Sequence, residues 1–270
     1  MNRSESYTLK DEKKLELEKN RLKEQAETLF KCDIVILNKI IPYFSSVVDL
    51  GTGNGVYLNC LGNHYKLGSC TGVDRNPELL KSCIDFNSND SIKYIESDIV
   101  DLSNLKSQLE LNNSLFTLRF VLQHMNHREI SNFLNSFKSN FPTSSLLIID
   151  IHSDSIKVEP LEDSIIEINN KTNTFQSRRG GNRNIVKDLP QYFIENGYEI
   201  IGHYENNLDS YKLGKENFSK VFFPIWDCLK GTDLYNEEEF KIKERWEKEF
   251  KTNKMYNMSY TFEYIHAKPI

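Results

Sequence analysis

What this 270-residue chain lacks narrows its class first. Cysteine is sparse: Cys32, Cys60, Cys70, Cys83 and Cys228 are odd in number, scattered, and form no Cys-x-x-Cys pair. That spacing argues against both a disulfide framework and a zinc site, and fits idle or buried thiols in a reducing compartment. No run of about 18 apolar residues occurs, so no helical membrane span is expected. The charged start has no apolar stretch of the kind a secretion signal needs, and the expectation is a cytoplasmic chain with no membrane partner. Positive charge is not in excess either. With 34 Lys and Arg against 39 Asp and Glu, the net charge of -5 removes the broad basic field of a nucleic-acid binder and leaves room only for local basic patches.

What is present is organised around residues 46–56, Ser-Val-Val-Asp-Leu-Gly-Thr-Gly-Asn-Gly-Val. The β-branched pair Val47 and Val48 reads as a buried strand, and Gly51, Gly53 and Gly55 permit a tight turn whose backbone amides approach a ligand closely. Helix-compatible spacing follows over residues 57–65, so the turn would present a helix N-terminus. A dinucleotide fingerprint needs a glycine at the sixth position, where Val56 stands, and the charge of Asp49 would repel a pyrophosphate. Asp49 suits a cationic or amine-bearing ligand instead.

The same logic recurs downstream. A second strand over residues 69–74 ends in Asp74, with Pro77 suited to the first turn of the next helix. A carboxylate at that strand tip can accept both hydroxyls of a ribose. A third strand ends near Asp98 and Ile99, where the acid could accept an exocyclic amine and Ile99 could pack on a base. Residues 114–122 read as a fourth strand leading to Gln123-His124, and 146–149 as a fifth leading to Asp150 and His152. This alternation of strands and helices predicts a parallel sheet covered on both faces, with its ligand at the C-terminal strand ends.

Around that core, residues 8–31 carry one apolar helical stripe, read either as packing against the domain or as a cap over the ligand. Residues 33–42 continue as a second short helix. From 156 to 185 no clear period is found. The arginines Arg178, Arg179 and Arg183 near two glycines there fit a mobile surface loop or a substrate-side loop that recognises a carboxylate or phosphate. Residues 198–204 and 259–267 read as strands six and seven. The long connection between them, residues 205–257, holds Phe222, Trp226 and a charged helix, and reads as a peripheral subdomain or as the roof of a substrate pocket.

Together, Val48-Asp49-x-Gly51-x-Gly53-x-Gly55, Gly72-Val73-Asp74-Arg75-x-Pro77 and Arg119-Phe-Val121-Leu122-x-His124 resemble the small-molecule branch of the class I S-adenosylmethionine (SAM) dependent methyltransferases. The resemblance spans nearly the whole chain and implies an α/β doubly wound, seven-stranded Rossmann-like sheet with strand seven antiparallel. It divides the chain into an N-terminal helical cap (1–45), a SAM-binding core (46–204), a helical insertion acting as a substrate lid (205–257) and the last core strand (258–270). It also implies that Asp49, Gly51, Gly53 and Gly55 hold the methionine end of SAM, that Asp74 binds the ribose with Arg75 by the adenine, and that Asp98 and Ile99 fix the base. Arg119, Tyr7 and Gln25 would contact the amino-acid end, Tyr7 and Gln25 because Tyr7-x-Leu9 and Arg21-Leu22-x-x-Gln25 look like the capping helix of one subgroup.

The resemblance implies methyl transfer from SAM, with S-adenosylhomocysteine as product, to oxygen or nitrogen of a small, partly aromatic molecule, as in specialised metabolism. His124, after strand four, is the first candidate proton acceptor and His152 the second; for each, a hydrogen-bonding pocket wall is the alternative role. Arg178, Arg179, Phe222 and Trp226 are the candidate substrate contacts. No Asn/Asp-Pro-Pro-Tyr/Phe or Pro-Cys motif and no Asp-rich metal arrangement is matched, so nucleobase amino methylation, covalent pyrimidine chemistry and a resident metal are not expected. Methylation of a protein side chain or terminus, a binding protein without turnover, and other SAM chemistry such as decarboxylation or cyclisation stay open, as do monomer and homodimer.

Overall fold

The computed structural model describes residues 12–86, 91–109 and 113–270. A long helix α1 (Glu12–Leu37) leads through a 3-10 turn (Ile41–Tyr43) into β1 (Ser46–Leu50). Then come α2 (Val56–Tyr65), β2 (Ser69–Asp74), α3 (Pro77–Phe86), β3 (Ile92–Glu96), α4 (Leu102–Gln108) and β4 (Ser114–Arg119). A 3-10 turn (Leu122–His124) precedes α5 (His127–Asn140), β5 (Ser145–Glu159), α6 (Asp163–Arg178), a further 3-10 turn (Ile185–Lys187), α7 (Leu189–Glu195) and β6 (Tyr198–Asp209). The chain ends with α8 (Ser210–Leu213), α9 (Lys215–Phe222), a 3-10 segment (Phe223–Leu229), α10 (Glu237–Thr252) and β7 (Asn257–Pro269).

The described residues build one seven-stranded sheet in the order β3-β2-β1-β4-β5-β7-β6. Strands β1 to β5 pair in parallel, and β7 inserts antiparallel between β5 and β6. This is the doubly wound, Rossmann-like arrangement that the alternating pattern implies. Its logic is local: β1 is buried along its whole length, as a central parallel strand must be, and its neighbours carry apolar side chains to both faces. One face packs Phe116, Leu118 and Ile148 under α4, α5 and α7; the other packs Val47, Leu115 and Leu147 beneath α1, α2 and the insertion. The order reverses between β1 and β4, so the crevice at the carboxyl ends of those strands is the ligand position of such sheets.

Several elements differ from the sequence reading. The helix expected over residues 8–31 and the short one expected over 33–42 do not separate at residue 32: α1 runs unbroken to Leu37. Strand four stops at Arg119 because Phe120 adopts a left-handed φ of 58°, although Phe120 to Leu122 are strand-like in composition. The stretch without a clear period contains α6, which buries only Ile165, Ile168, Asn169 and Thr172, and α4 follows the third strand where no helix was read. Strands five, six and seven are longer than expected, so the insertion proper begins at Ser210.

The insertion adds an aromatic layer to the core on that second face of the sheet. Trp226 stacks on Phe223 with ring centroids 5.1 Å apart, and Phe222 stacks on Tyr260 at 5.0 Å. A capping box, in which Asn126 and Glu129 exchange hydrogen bonds, starts α5; Asn236 and Glu239 start α10 in the same way.

Candidate functional site

The glycine turn after β1 has the shape its residues require. Gly51, Gly53 and Gly55 have φ of 79°, 59° and 71°. A Cβ on Gly51 would lie 2.6 Å from a methyl of Val121, and one on Gly55 would lie 2.6 Å from the Tyr94 hydroxyl. Both the backbone conformation and the space therefore demand glycine. The turn is held from two directions. Gly53 N–H donates to Asp74 Oδ2 at 2.8 Å, and Asn54 Nδ2 donates to the Lys19 carbonyl at 3.0 Å. The cap helix α1 thus sits directly against the turn, with Leu22 beside Gly53.

The three acidic strand ends meet this turn or its neighbours. Asp49 is buried and accepts a hydrogen bond from the Thr117 hydroxyl at 2.6 Å. Burial raises its pKa, and the bond from Thr117 opposes the rise. Asp74 accepts from Gly53 N–H and, through Oδ1, from Asn76 N–H at 2.9 Å, while burial again raises its pKa. Asp98 caps the turn after β3 by accepting from Val100 N–H at 3.2 Å, and Ile99 is half-buried beside it. Arg75 is exposed next to Asp74.

Beneath the end of β4 lies a constellation the sequence reading missed. The Arg119 guanidinium sits 4.3 Å from the centre of the Tyr57 ring and 4.4 Å from that of Phe120, with Nε 3.5 Å from Oδ2 of the fully buried Asp33. Asp33 also accepts from the hydroxyls of Tyr57, at 2.9 Å, and Tyr264. Burial raises the Asp33 pKa against the opposing charge of Arg119 and these hydroxyl bonds. Nη2 of Arg119 is buried without a hydrogen-bond partner among the described residues. No local pattern could have announced this group, because Asp33, Tyr57, Arg119 and Tyr264 come from four distant elements.

At the other side of the β4 end, His124 closes its 3-10 turn. Its Nδ1 lies 2.8 Å from Gln176 Nε2, and that same amide nitrogen is 3.2 Å from the Gln123 carbonyl. Burial of the ring, and then the charges of Arg183, Arg21, Arg75 and Arg179, push the His124 pKa down to about 4. The residue nevertheless keeps solvent-exposed surface, so a ligand can reach it. Asp150, below this turn on β5, is fully buried; Oδ1 accepts from Ile151 N–H at 2.9 Å, Oδ2 has no partner among the described residues, and burial pushes its pKa up to about 7.

Other expected site residues fall elsewhere. His152 contacts Glu263 at 3.3 Å, and Glu263 also holds His203 at 2.8 Å, which places His152 in a row of side chains across β5, β7 and β6. Arg178 ends α6, and its Nη1 donates to both carboxylate oxygens of Asp233, at 2.7 and 2.8 Å, on the exposed surface. Phe222 and Trp226, expected to line the substrate space, are packed inside the insertion with 4% and 0% of their surface exposed. Their apolar rings are satisfied by Tyr260, Phe223 and Trp246, which explains the departure. Gln25 is half-buried on α1, and Tyr7 lies outside the described residues.

A groove of about 590 Å³ opens between α1 and the insertion, lined by Leu17, Glu18, Asn20, Arg21 and Glu24 on one side and Lys220, Pro224 and Asp227 on the other. Among the described residues, no group of three His, Cys, Asp or Glu is placed to hold a metal, and no helix is long and apolar enough to cross a membrane.

Residues 48–138, from the middle of β1 through β4 and most of α5, match the family model described as "Methyltransferase domain". Over that stretch the chain is similar to this family. The whole seven-stranded sheet, with β7 antiparallel, has the fold of the class I, SAM-dependent methyltransferases. A SAM-dependent methyltransferase from Anabaena variabilis aligns with a TM-score of 0.54 and 12% identity, covering 93% of this chain and 95% of that one. A putative methyltransferase from Bacillus halodurans gives 0.50 and 14%, covering 88% and 99%. Human N-acetylserotonin methyltransferase, solved with SAM, gives 0.50 and 16%, covering 72% and 53%. At these identities the likeness is one of fold. No curated protein sequence matches the chain.

The residues around the glycine turn and the end of β4 would suit SAM. The unpartnered, buried Nη2 of Arg119 offers a donor to a carboxylate, and buried Asp49 offers an acceptor to an ammonium. Asp74 retains lone pairs beyond those taken by Gly53 and Asn76, which ribose hydroxyls can use.

Proposed function

We propose that this protein transfers a methyl group from SAM to an oxygen or nitrogen of a small, partly aromatic molecule, with a place in specialised metabolism. The observation that carries this reading is the groove between α1 and the insertion. Its volume of about 590 Å³ lies within the range of small-ligand sites, and one of its walls carries Arg21, whose charge acts on His124. The mixed lining, with Glu18, Glu24 and Asp227 beside Arg21 and Lys220, differs from the acidic surface that a basic protein segment would need.

In this reading Asp49, Gly51, Gly53, Gly55 and Arg119 hold the methionine end of the cofactor, with Gln25 and Tyr7 on the cap side. Asp74 binds the ribose, and Arg75, Asp98 and Ile99 surround the base. When bound there, SAM supplies an activated methyl group. The chain's own work is to orient the acceptor and exclude water, which α1 does by lying against the glycine turn through Asn54 and Lys19. Such positioning can lower a barrier by roughly 7 to 11 kcal/mol. On the acceptor side the reading assigns His124 first and His152 second, with Arg179 as a substrate contact.

Incubating the purified protein with SAM and a panel of phenols and amines, and detecting methylated product by mass, tests the proposal. Methylation confined to protein substrates, or no SAM binding in calorimetry, would overturn it.

A further inference from the structure

Resting on that methyltransferase reading, we infer that the groove between α1 and the insertion takes an acceptor that is uncharged at neutral pH. Its substrate class is an apolar ring or chain bearing a hydroxyl or a weakly basic nitrogen, and it turns away carboxylates, phosphate esters and aliphatic ammonium ions.

The groove has about 590 Å³ of space and lies against the proposed cofactor site. One wall is α1, the helix whose Lys19 carbonyl accepts from Asn54 Nδ2 and whose Leu22 stands beside Gly53. The ring of His124, on which the charge of Arg21 acts, is itself uncharged at neutral pH, its pKa being pushed down to about 4 by burial and nearby arginines.

Each charged side chain lining the groove already has an opposite charge of the protein's own beside it. On α1, Arg21 Nε and Nη2 donate to the two carboxylate oxygens of Glu18, both at 2.7 Å. Across the groove, Lys220 Nζ lies 4.0 Å from Glu24 Oε2 and joins the two walls. On the insertion side, Asp227 Oδ1 is held by Lys243 Nζ at 2.9 Å and Lys230 Nζ at 3.2 Å. Lys243 is buried and has a second carboxylate partner, Glu247, at 2.6 Å. The lining and its partners are therefore balanced in charge. An ion entering the groove would lose its hydration and find no unmatched counter-charge, or would have to break a pair that already exists. The Lys220–Glu24 contact is the weak member, since both ends are exposed, and a ligand ion that opened it would gain little.

What the groove does offer is apolar surface and a neutral polar group. Leu17 lines it with 71% of its surface exposed, and Pro224 faces the same space from the insertion. Covering these side chains with an apolar ligand removes them from water at no electrostatic cost. Asn20, also in the lining, adds an uncharged amide that can donate and accept. Arg179 is not part of this lining; its guanidinium lies 4.9 Å from the centre of the Phe175 ring, and its N–H groups serve a neutral oxygen as well as an anion.

The test uses the full chain saturated with S-adenosylhomocysteine and titrated calorimetrically at pH 7 with 2-naphthol, 2-naphthoate and 2-naphthylmethylamine, the last an ammonium ion at that pH. The neutral naphthol should bind about tenfold or more tighter than either ion. Leu17→Ala should weaken the naphthol about fivefold with S-adenosylhomocysteine affinity unchanged, which places the probe in this groove. Lys220→Gln leaves Glu24 without its partner and should improve the ammonium about threefold relative to the naphthol. The inference is overturned if either ion binds as tightly as the naphthol, if none of the three binds, or if the naphthol is indifferent to Leu17→Ala or the ammonium to Lys220→Gln. A wild-type chain that does not bind S-adenosylhomocysteine overturns the methyltransferase reading itself, a result seen before any probe is added.

Discussion

Asp33 of the cap helix and Arg119 at the end of β4 form an ion pair, Nε to Oδ2 at 3.5 Å, inside a cage of Tyr57, Phe120 and Tyr264. The pair ties α1 to the strand that ends beside the glycine turn, so the position of the helix and that of the Arg119 guanidinium are coupled. Replacing Asp33 by Ala leaves a buried guanidinium without its counter-charge, a defect that typically costs about 3 to 5 kcal/mol. Urea unfolding should show a loss of that order, and S-adenosylhomocysteine affinity should fall as well. An unchanged midpoint would remove the pair from the account.

Asp150 predicts a pH signature of stability. Its folded pKa of about 7 lies above the ordinary carboxylate value, so the folded state holds a proton that the unfolded chain releases. The associated stability is fully present below about pH 4 and is lost as pH rises to about 7, by about 4 kcal/mol at about 1.4 kcal/mol per pKa unit. Relative to wild type, Asp150→Asn should therefore become progressively more stable over that interval in denaturant titrations. A constant difference between the two proteins would contradict this.

His124 should be neutral at pH 7. The Gln123 carbonyl can only accept, so the nearby Gln176 nitrogen is an NH2 that donates to His124 Nδ1, and nitrogen-15 NMR of the imidazole is expected to show the Nε2–H tautomer, with no protonation until near pH 4 because burial and the surrounding arginines depress its pKa. The pH dependence of turnover should then lack a His124 ionisation near pH 6.5. A titration there, lost in His124→Gln, would restore the residue as a base.

Trp226 should act through packing. Trp226→Ala removes a fully buried ring stacked on Phe223, and a cost of about 3 to 5 kcal/mol is expected in thermal or urea unfolding. At a temperature where the variant is folded, the KM for acceptor should change little; a large rise in KM without loss of stability would return Trp226 to the pocket wall.

The strands β1 to β5 were legible because apolar, β-branched runs separated by acidic or glycine turns leave few alternatives. Helix α6 was not: its buried face uses Asn169 and Thr172 beside Ile165 and Ile168, so hydrophobic period is nearly absent. The end of β4 was misread because Phe120, Val121 and Leu122 favour a strand by composition, while the backbone reverses at Phe120. The turn around Gly51 and the carboxylate of Asp74 could be found from spacing. Asp33 could not, since its partners Tyr57, Arg119 and Tyr264 are brought to it only by tertiary structure. For Phe222 and Trp226 the residue type was informative and the direction was not, because a core ring and a pocket ring look alike in sequence.

The account rests on the SAM site proposed at the glycine turn and the strand-end carboxylates, and calorimetric titration with S-adenosylhomocysteine tests it most directly. The predicted result is saturable one-to-one binding by the wild-type chain, weakened about tenfold or more in Asp74→Asn, since bonds to a charged acceptor contribute about 1.5 to 3 kcal/mol each. A folded wild-type protein that shows no heat of binding, or an Asp74→Asn variant that binds as tightly as wild type, would contradict it.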